Sequence, residues 1–143
     1  MSLSAEHIAR SLAALARIEP GFARAIERAG LPAPRFASRG YASLLRFIVG
    51  QQLSVAAARA IFARLELLLG VVEEPARLLG QGDEPLRGIG FSRQKILHAR
   101  SLAALVAEGR LDLERLPADD EAAIAELVRI KGVGRWTAEV YLL

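Results

Sequence analysis

Two glycines one residue apart, Gly132 and Gly134, stand between stretches of helical spacing, with Lys131 before them and Arg135 between the second glycine and an indole at Trp136. Glycine can take φ > 0 without a Cβ clash, so such a pair turns a chain sharply. A turn that opens a helix leaves the first N–H groups of that helix unpaired at its positive end, and an anion fits there. Lys131 and Arg135 add charge on either side. The chemistry this spacing offers is therefore the grip of a phosphate through main-chain donors. A plain tight turn between two packed helices uses the same Gly-x-Gly, so the glycines alone leave both readings open.

A second cluster lies at Phe47-Ile-Val-Gly-Gln-Gln-Leu-Ser-Val55, where an apolar stretch leaves through Gly50 and two amides before Ser54 opens a new helix. Gln51, Gln52 and Leu53 are poor core material at a helix-to-helix corner. A protein that draws a base out of a duplex must fill the gap it leaves, and Gln or Leu can do so. The plainer alternative is a Ser54 N-cap with two solvated glutamines beside it. Gly88-Ile89-Gly90, followed by Ser92, Arg93 and Lys95, has the outline of another hairpin; a turn between packed helices explains it more simply.

Helices must position these groups. In the 143 residues Ala and Leu dominate, aromatics are few and no stretch alternates with period two for long, so the expected fold class is all-α in a chain of one domain's size. The spacing predicts a first helix capped by Ser4 and ending near Ile18, then a second with Pro20 in its first turn, Gly30 as its stop and Pro32 and Pro34 in a linker. A largely buried helix is expected from Tyr41 to Gln51, and a long one from the Ser54 cap to Gly70. Asp83 caps a short turn through Leu86, and Ser92 caps a helix that Gly109 ends. After a connection from Leu111 to Pro117 comes a helix from Asp120 to Val128, capped by Asp119 or Asp120, and the Gly132–Gly134 turn then leads into a last helix from Arg135.

Of 19 basic residues only Lys95 and Lys131 are lysines, and the formal net charge of +3 permits nucleic-acid binding without demanding it. Without cysteine there is no disulfide and no thiolate metal site in the chain. With no uninterrupted apolar run of membrane length and no signal pattern at the start, the expectation is a soluble, cytoplasmic protein not associated with a membrane.

Leu127-Val-Arg-Ile-Lys-Gly-Val-Gly-Arg-Trp-Thr-Ala-Glu139, taken whole, resembles the helix-hairpin-helix motif of the DNA glycosylase superfamily. Tyr41 to Ala60 and Leu86 to Lys95 resemble, in the same order, stretches of the DNA-3-methyladenine glycosylase II family. The resemblance covers roughly Ala37 to Leu143 and implies a glycosylase-like helical core over residues 37–143. That core ends in the hairpin unit at about 120–143, and the helices of residues 1–36 pack on it.

What the resemblance implies is a monofunctional glycosylase that flips alkylated purines of 3-methyladenine type out of double-stranded DNA and hydrolyses their N-glycosidic bond, as a monomer when intact. The N–H groups of Gly132, Gly134 and Thr137 would contact phosphate, with Lys131 and Arg135 flanking. The carbonyls of Val128, Ile130 and Val133 would hold a structural Na+ or K+, and no other cofactor is implied. Gln52 falls at the intercalating wedge, with Leu53 beside it. Trp136 falls where bifunctional relatives carry the Schiff-base lysine, so it implies a water nucleophile and a pocket wall; its phase with Val140 also suits a core residue. The family's catalytic aspartate is expected after Leu143, so the 143 residues alone are expected to be inactive and Val140, Tyr141, Leu142 and Leu143 to lack packing partners. Asp112, Asp119, Asp120 and Glu121 read as caps or solvated charge, and Glu139 as solvent-facing. Two rivals stay open: a non-catalytic helix-hairpin-helix DNA-binding module, and an endonuclease III-like glycosylase/lyase, against which Trp136 and the Gly-Gln-Gln corner both argue.

Overall fold

The computed structural model describes residues 5–32 and 40–143, so the Ser4 cap and the linker around Pro34 lie outside the described residues. Every regular element among those residues is a helix: α1 (Ala5–Ile18), α2 (Pro20–Ala29), α3 (Tyr41–Gly50), α4 (Val55–Leu69), α5 (Pro75–Leu79), α6 (Asp83–Gly88), α7 (Arg93–Ala107), α8 (Asp120–Leu127) and α9 (Arg135–Leu142). The chain divides into two compact units, residues 1–37 and Ser38–Leu142.

In the first unit α1 and α2 pack on each other. Pro20 occupies the first turn of α2, where its missing N–H costs nothing, and the Glu19 carboxylate accepts from Gly21 N–H at 2.9 Å. Gly30 ends the helix at φ 74°.

The second unit is built around α3 and α7. Tyr41, Leu44, Leu45, Ile48 and Val49 form one buried face of α3, while Ala99 and Ala103 on α7 are fully buried small residues that let its neighbours come close. α3 packs on α4, α7 and α9, and α7 also on α5 and α6. Ser54 caps α4 by accepting from Ala57 N–H, and Ser92 caps α7 by accepting from Lys95 N–H, each at 3.2 Å. Asp119, not Asp120, caps α8, accepting from Ala122 N–H at 2.9 Å.

Several expectations need correction. α3 ends at Gly50, and Gln51 is its C-cap. α5 was not foreseen, although Pro75 at its first position and Gly80 after its last bracket it; Leu78, fully buried, holds these five residues to α7. Asp83 is the first residue of α6 and caps nothing; the N-cap is Gly82, the helix continues to Gly88, and the Asp83 carboxylate pairs with Arg100. At the other end Tyr141 is buried, meets Phe47 edge-on at 6.2 Å and accepts from Gly40 N–H at 2.8 Å. Val140 and Leu142 are half-buried, so only Leu143 of that quartet is exposed: α3 supplies the partners that α9 was expected to lack.

Candidate nucleic-acid interface

α8 runs out at Leu127, and the chain reaches α9 through a turn in which Ile130 and Val133 bury their side chains and Ile130 C=O accepts from Val133 N–H at 3.1 Å. These two apolar anchors fix the turn on the core and leave its glycine backbone at the surface. Gly132 takes φ 81°. A Cβ on it would lie 2.1 Å from Nδ1 of His98, so the α7 imidazole fills the place a side chain would need. Gly134, expected to share the left-handed conformation, does not: its φ is not positive, and a Cβ there would meet nothing within 4 Å. Neither backbone nor packing asks for glycine at 134, and what the glycine leaves clear is the approach to the first turn of α9.

Gly134 C=O accepts from Ala138 N–H at 3.0 Å, so Gly134 stands at the cap and Arg135, Trp136 and Thr137 form the first turn. By helix geometry the N–H groups of that turn have no intrahelical acceptor. The Thr137 side chain is buried and anchors the turn. Trp136 is 74 % exposed, which rules out the core reading. Arg135 is not a free cation flanking an anion. Its guanidinium grips the Glu121 carboxylate with two nitrogens, and its Nε reaches Glu139 at 2.8 Å. The hydrogen bond from Arg135 holds the Glu121 carboxyl below its usual range, and the two carboxylates raise the guanidinium further above its own. Glu139 is therefore in an ion pair, where a purely solvated carboxylate was expected.

Lys131 is exposed, and its main-chain N–H donates to Ser101 Oγ at 3.1 Å. It borders a groove of about 560 Å³ along α7 that also carries Arg93, Arg100, Arg110 and Arg129. Three of these are paired, Arg100 with Asp83, Arg110 with Glu108 and Arg129 with Glu126. Lys131 is thus the sequence-identified cation that keeps its charge available beside the turn.

The glutamine corner meets the same turn. Gln51 has φ −54°, ψ 131° and Gln52 has φ 57°, with Leu53 N–H closing back on Gly50 C=O at 3.2 Å, which makes a type II turn. Its third position normally takes glycine, and Gln52 is the only non-glycine residue with positive φ among the described residues. Gln52 is exposed and Leu53 is 37 % exposed beside it. Gln51 Nε2 donates to Gly132 C=O at 2.9 Å, so corner and hairpin are joined directly. Lys95 Nζ donates to Gln51 C=O at 2.7 Å and reaches Ile48 C=O at 3.4 Å, a cation set at the negative end of α3. Burial lowers the Lys95 ammonium below its usual value.

Gly90 settles the other glycine pair. It takes φ 108°, a Cβ there would press on Ile61 and Arg64 at about 3.2 Å, and Arg64 donates to Ile89 C=O at 2.9 Å. This is a packing turn against α4.

No family model matches the chain. A DNA-3-methyladenine glycosylase 1 of Schizosaccharomyces pombe is 36 % identical over 109 residues, covering 72 % of this chain and 47 % of that protein. DNA-3-methyladenine glycosylase 2 of Escherichia coli K12 is 31 % identical over 109 residues, 69 % of this chain and 38 % of its own. Among solved structures, an S. pombe 3-methyladenine DNA glycosylase in complex with abasic DNA superposes with a TM-score of 0.79 at 30 % identity, over 93 % of this chain and 68 % of that one. The chain belongs to the DNA-3-methyladenine glycosylase family. A Bacillus halodurans DNA-3-methyladenine glycosidase superposes over 99 % of the chain with a TM-score of 0.80 at 35 % identity, and 64 % of it is covered. The chain spans under half the length of the curated relatives it matches.

The family features most visible in sequence, the glycine turn and the Gly-Gln-Gln corner, prove to be neighbours in space. His98 and Ser101 on α7 escaped notice because a single histidine or serine in a helix carries no signal; only the fold brings them under the turn. The acidic partners of Arg135 could have been found in part, since Glu139 lies at i+4, whereas Glu121 lies across the turn.

Proposed function

We propose that the protein excises alkylated purines from double-stranded DNA as a monofunctional glycosylase of 3-methyladenine type. The observation that carries the reading is the Gln51–Gly132 hydrogen bond, which sets an exposed amide wedge directly beside an open helix N-terminus. DNA held at one would have its base stack facing the other. The relative seen with abasic DNA, a duplex already missing a base, has this fold.

In this reading the N–H groups of Gly132, Gly134 and Thr137 hold a phosphate, with Lys131 adding charge, and Gln52, with Leu53 beside it, fills the gap when a nucleotide leaves the stack. Trp136, whose ring is largely exposed, is the stacking face for the extruded base. An N-alkylated purine is cationic, so an aromatic face favours it and it departs readily. Water then attacks the sugar, and the electrostatic support of the oxocarbenium-like state falls to a carboxylate. Glu121 and Glu139 are engaged by Arg135, so we assign that step to an aspartate after Leu143, the position the family resemblance implies. We infer that the carbonyls of Val128, Ile130 and Val133 would hold an alkali cation that stiffens the turn; Val128 C=O lies at the negative end of α8, and Ile130 C=O also accepts from Val133 N–H. We further infer that the intact protein acts as a monomer in the cytoplasm, on the nucleoid.

Among the described residues no helix is long and apolar enough to cross a membrane. The test is release of free base from methylated duplex by the intact protein. Release well above the spontaneous rate, with no strand cleavage, is expected. Tight DNA binding without base release would favour a pure binding module, and a borohydride-trapped covalent adduct would favour the lyase.

A further inference from the structure

We propose that Gln51 is a positioning residue, a strut held by Lys95, that locks the wedge to the phosphate-gripping turn so that DNA bound at the turn sets where Gln52 enters the duplex. The proposal rests on the glycosylase reading above and assigns to Gln51 and Lys95 a role separate from contact with DNA.

Both polar ends of Gln51 are committed inside the protein. Its side-chain amide donates to Gly132 C=O at 2.9 Å, 81 residues along the chain, and its main-chain carbonyl takes Lys95 Nζ at 2.7 Å. The second bond sets the turn type. A type II turn points the peptide between its two central residues away from the alternative type I orientation, and the bond from Lys95 favours the type II orientation of that carbonyl. With that peptide fixed, Gln52 is driven to φ 57°, a conformation in which glutamine is strained and in which its side chain is exposed. One peptide therefore separates the strut from the wedge.

The hairpin end is equally constrained. Gly132 has the Gln51 amide on its carbonyl and the His98 ring where its side chain would be, while the next residue along, Val133, is buried. A displacement of the turn when phosphate binds would pass to Gln51 through that bond. Gly132 C=O is taken by it, and Gly132 itself is an exposed residue. One peptide unit thus faces the strut and its neighbour the ligand. Lys95 and Gln51 come from two of the three segments that first marked this chain, and the hairpin is the third; the bonds between them account for all three standing together.

The test compares wild type, Gln51→Met, Lys95→Met, Lys95→Arg and the Gln51→Met/Lys95→Met double variant in the intact protein. Affinity for an abasic duplex and for the same duplex undamaged is measured at one salt concentration, with the thermal midpoint of each variant. Wild type is expected to prefer the abasic duplex. Gln51→Met should reduce that preference about three- to tenfold, the span of one net hydrogen bond, with undamaged-duplex affinity nearly unchanged. Lys95→Met should reduce it likewise, Lys95→Arg should restore it, and the double variant should be no worse than the stronger single, since both act through one path. A preference that survives both single variants, or losses that multiply in the double, overturns the strut. If Gln51→Met does not fold, the two Lys95 variants decide: loss with Met and return with Arg supports it, and no loss with Met overturns it. Absence of any abasic preference in wild type would count against the glycosylase reading instead.

Discussion

Gly132 and His98 occupy each other's space: a Cβ at 132 would sit 2.1 Å from the imidazole Nδ1, and the backbone at 132 is left-handed as well, at φ 81°. Two independent reasons therefore demand glycine there. Gly134 has neither. The pair that looks symmetrical in sequence is divided in labour, one glycine shaping the turn and the other keeping its mouth open.

That division makes a paired prediction. Gly132→Ala must bear left-handed strain and displace a ring, and should cost about 2 kcal/mol or more of folding stability by denaturant unfolding. Gly134→Val should leave stability within about 1 kcal/mol, yet weaken binding to undamaged and abasic duplex alike in a salt series, because it blocks the donors. Unchanged affinity for both duplexes would remove the turn as a phosphate site.

Glu121 and Glu139 keep Arg135 from a phosphate. Glu121→Gln should therefore tighten duplex binding and steepen its salt dependence by about one unit of log–log slope, as one more cation reaches the backbone. The pH sign follows from Glu121, whose folded-state pKa is depressed by Arg135. Its contribution to stability is complete above the unfolded-state value and is lost as pH falls through the folded one. Wild type and Glu121→Gln should thus converge in stability toward acid and differ at neutral pH, within the small range of an exposed pair. A gap that widens toward acid would refute the pairing.

How much of this was legible in sequence depended on whether local rules or tertiary neighbours decided each residue. Caps at Ser54 and Ser92 and stops at Gly30 and Gly70 are local, and they fell where the spacing put them; at α8 the spacing left Asp119 and Asp120 open, and Asp119 is the cap. α5 was overlooked because five residues cannot show a helical period, although its Pro and Gly brackets were readable. Arg135 looked free because Glu121 is brought to it only by the turn. Tyr141 looked stranded because its partners, Phe47 and Gly40, lie about a hundred residues earlier.

Gln52 offers a trade between stability and function. A glutamine at φ 57° stands where a type II turn takes glycine, so Gln52→Gly should stabilise the fold by about 1 kcal/mol. The same change removes the proposed wedge and should slow extrusion of a fluorescent base analogue placed at the lesion in the intact protein. Gln52→Ala should slow it too without the stability gain. Normal extrusion in both, with slow extrusion in Leu53→Ala, would move the wedge by one residue.

Trp136 gives the cleanest separation of fold from chemistry. An indole 74 % exposed on the first turn of α9 buries little, so Trp136→Ala should change unfolding free energy by no more than about 0.5 kcal/mol. In the proposed reading this exposed ring, beside the first turn of α9, is the face on which the ligand stacks. If that ligand is an extruded cationic purine, Trp136→Ala should lower single-turnover release of alkylated base by tenfold or more, a loss of about 1.4 kcal/mol or more that the roughly 2 kcal/mol of a desolvated cation–π contact can supply. Trp136→Phe should recover part of the rate, since a smaller ring still offers a π face. Affinity for undamaged duplex, set by the turn and not by the ring, should stay within about twofold of wild type. A Trp136→Ala variant that folds, binds duplex and releases base at the wild-type rate would show that the pocket wall is built by other residues.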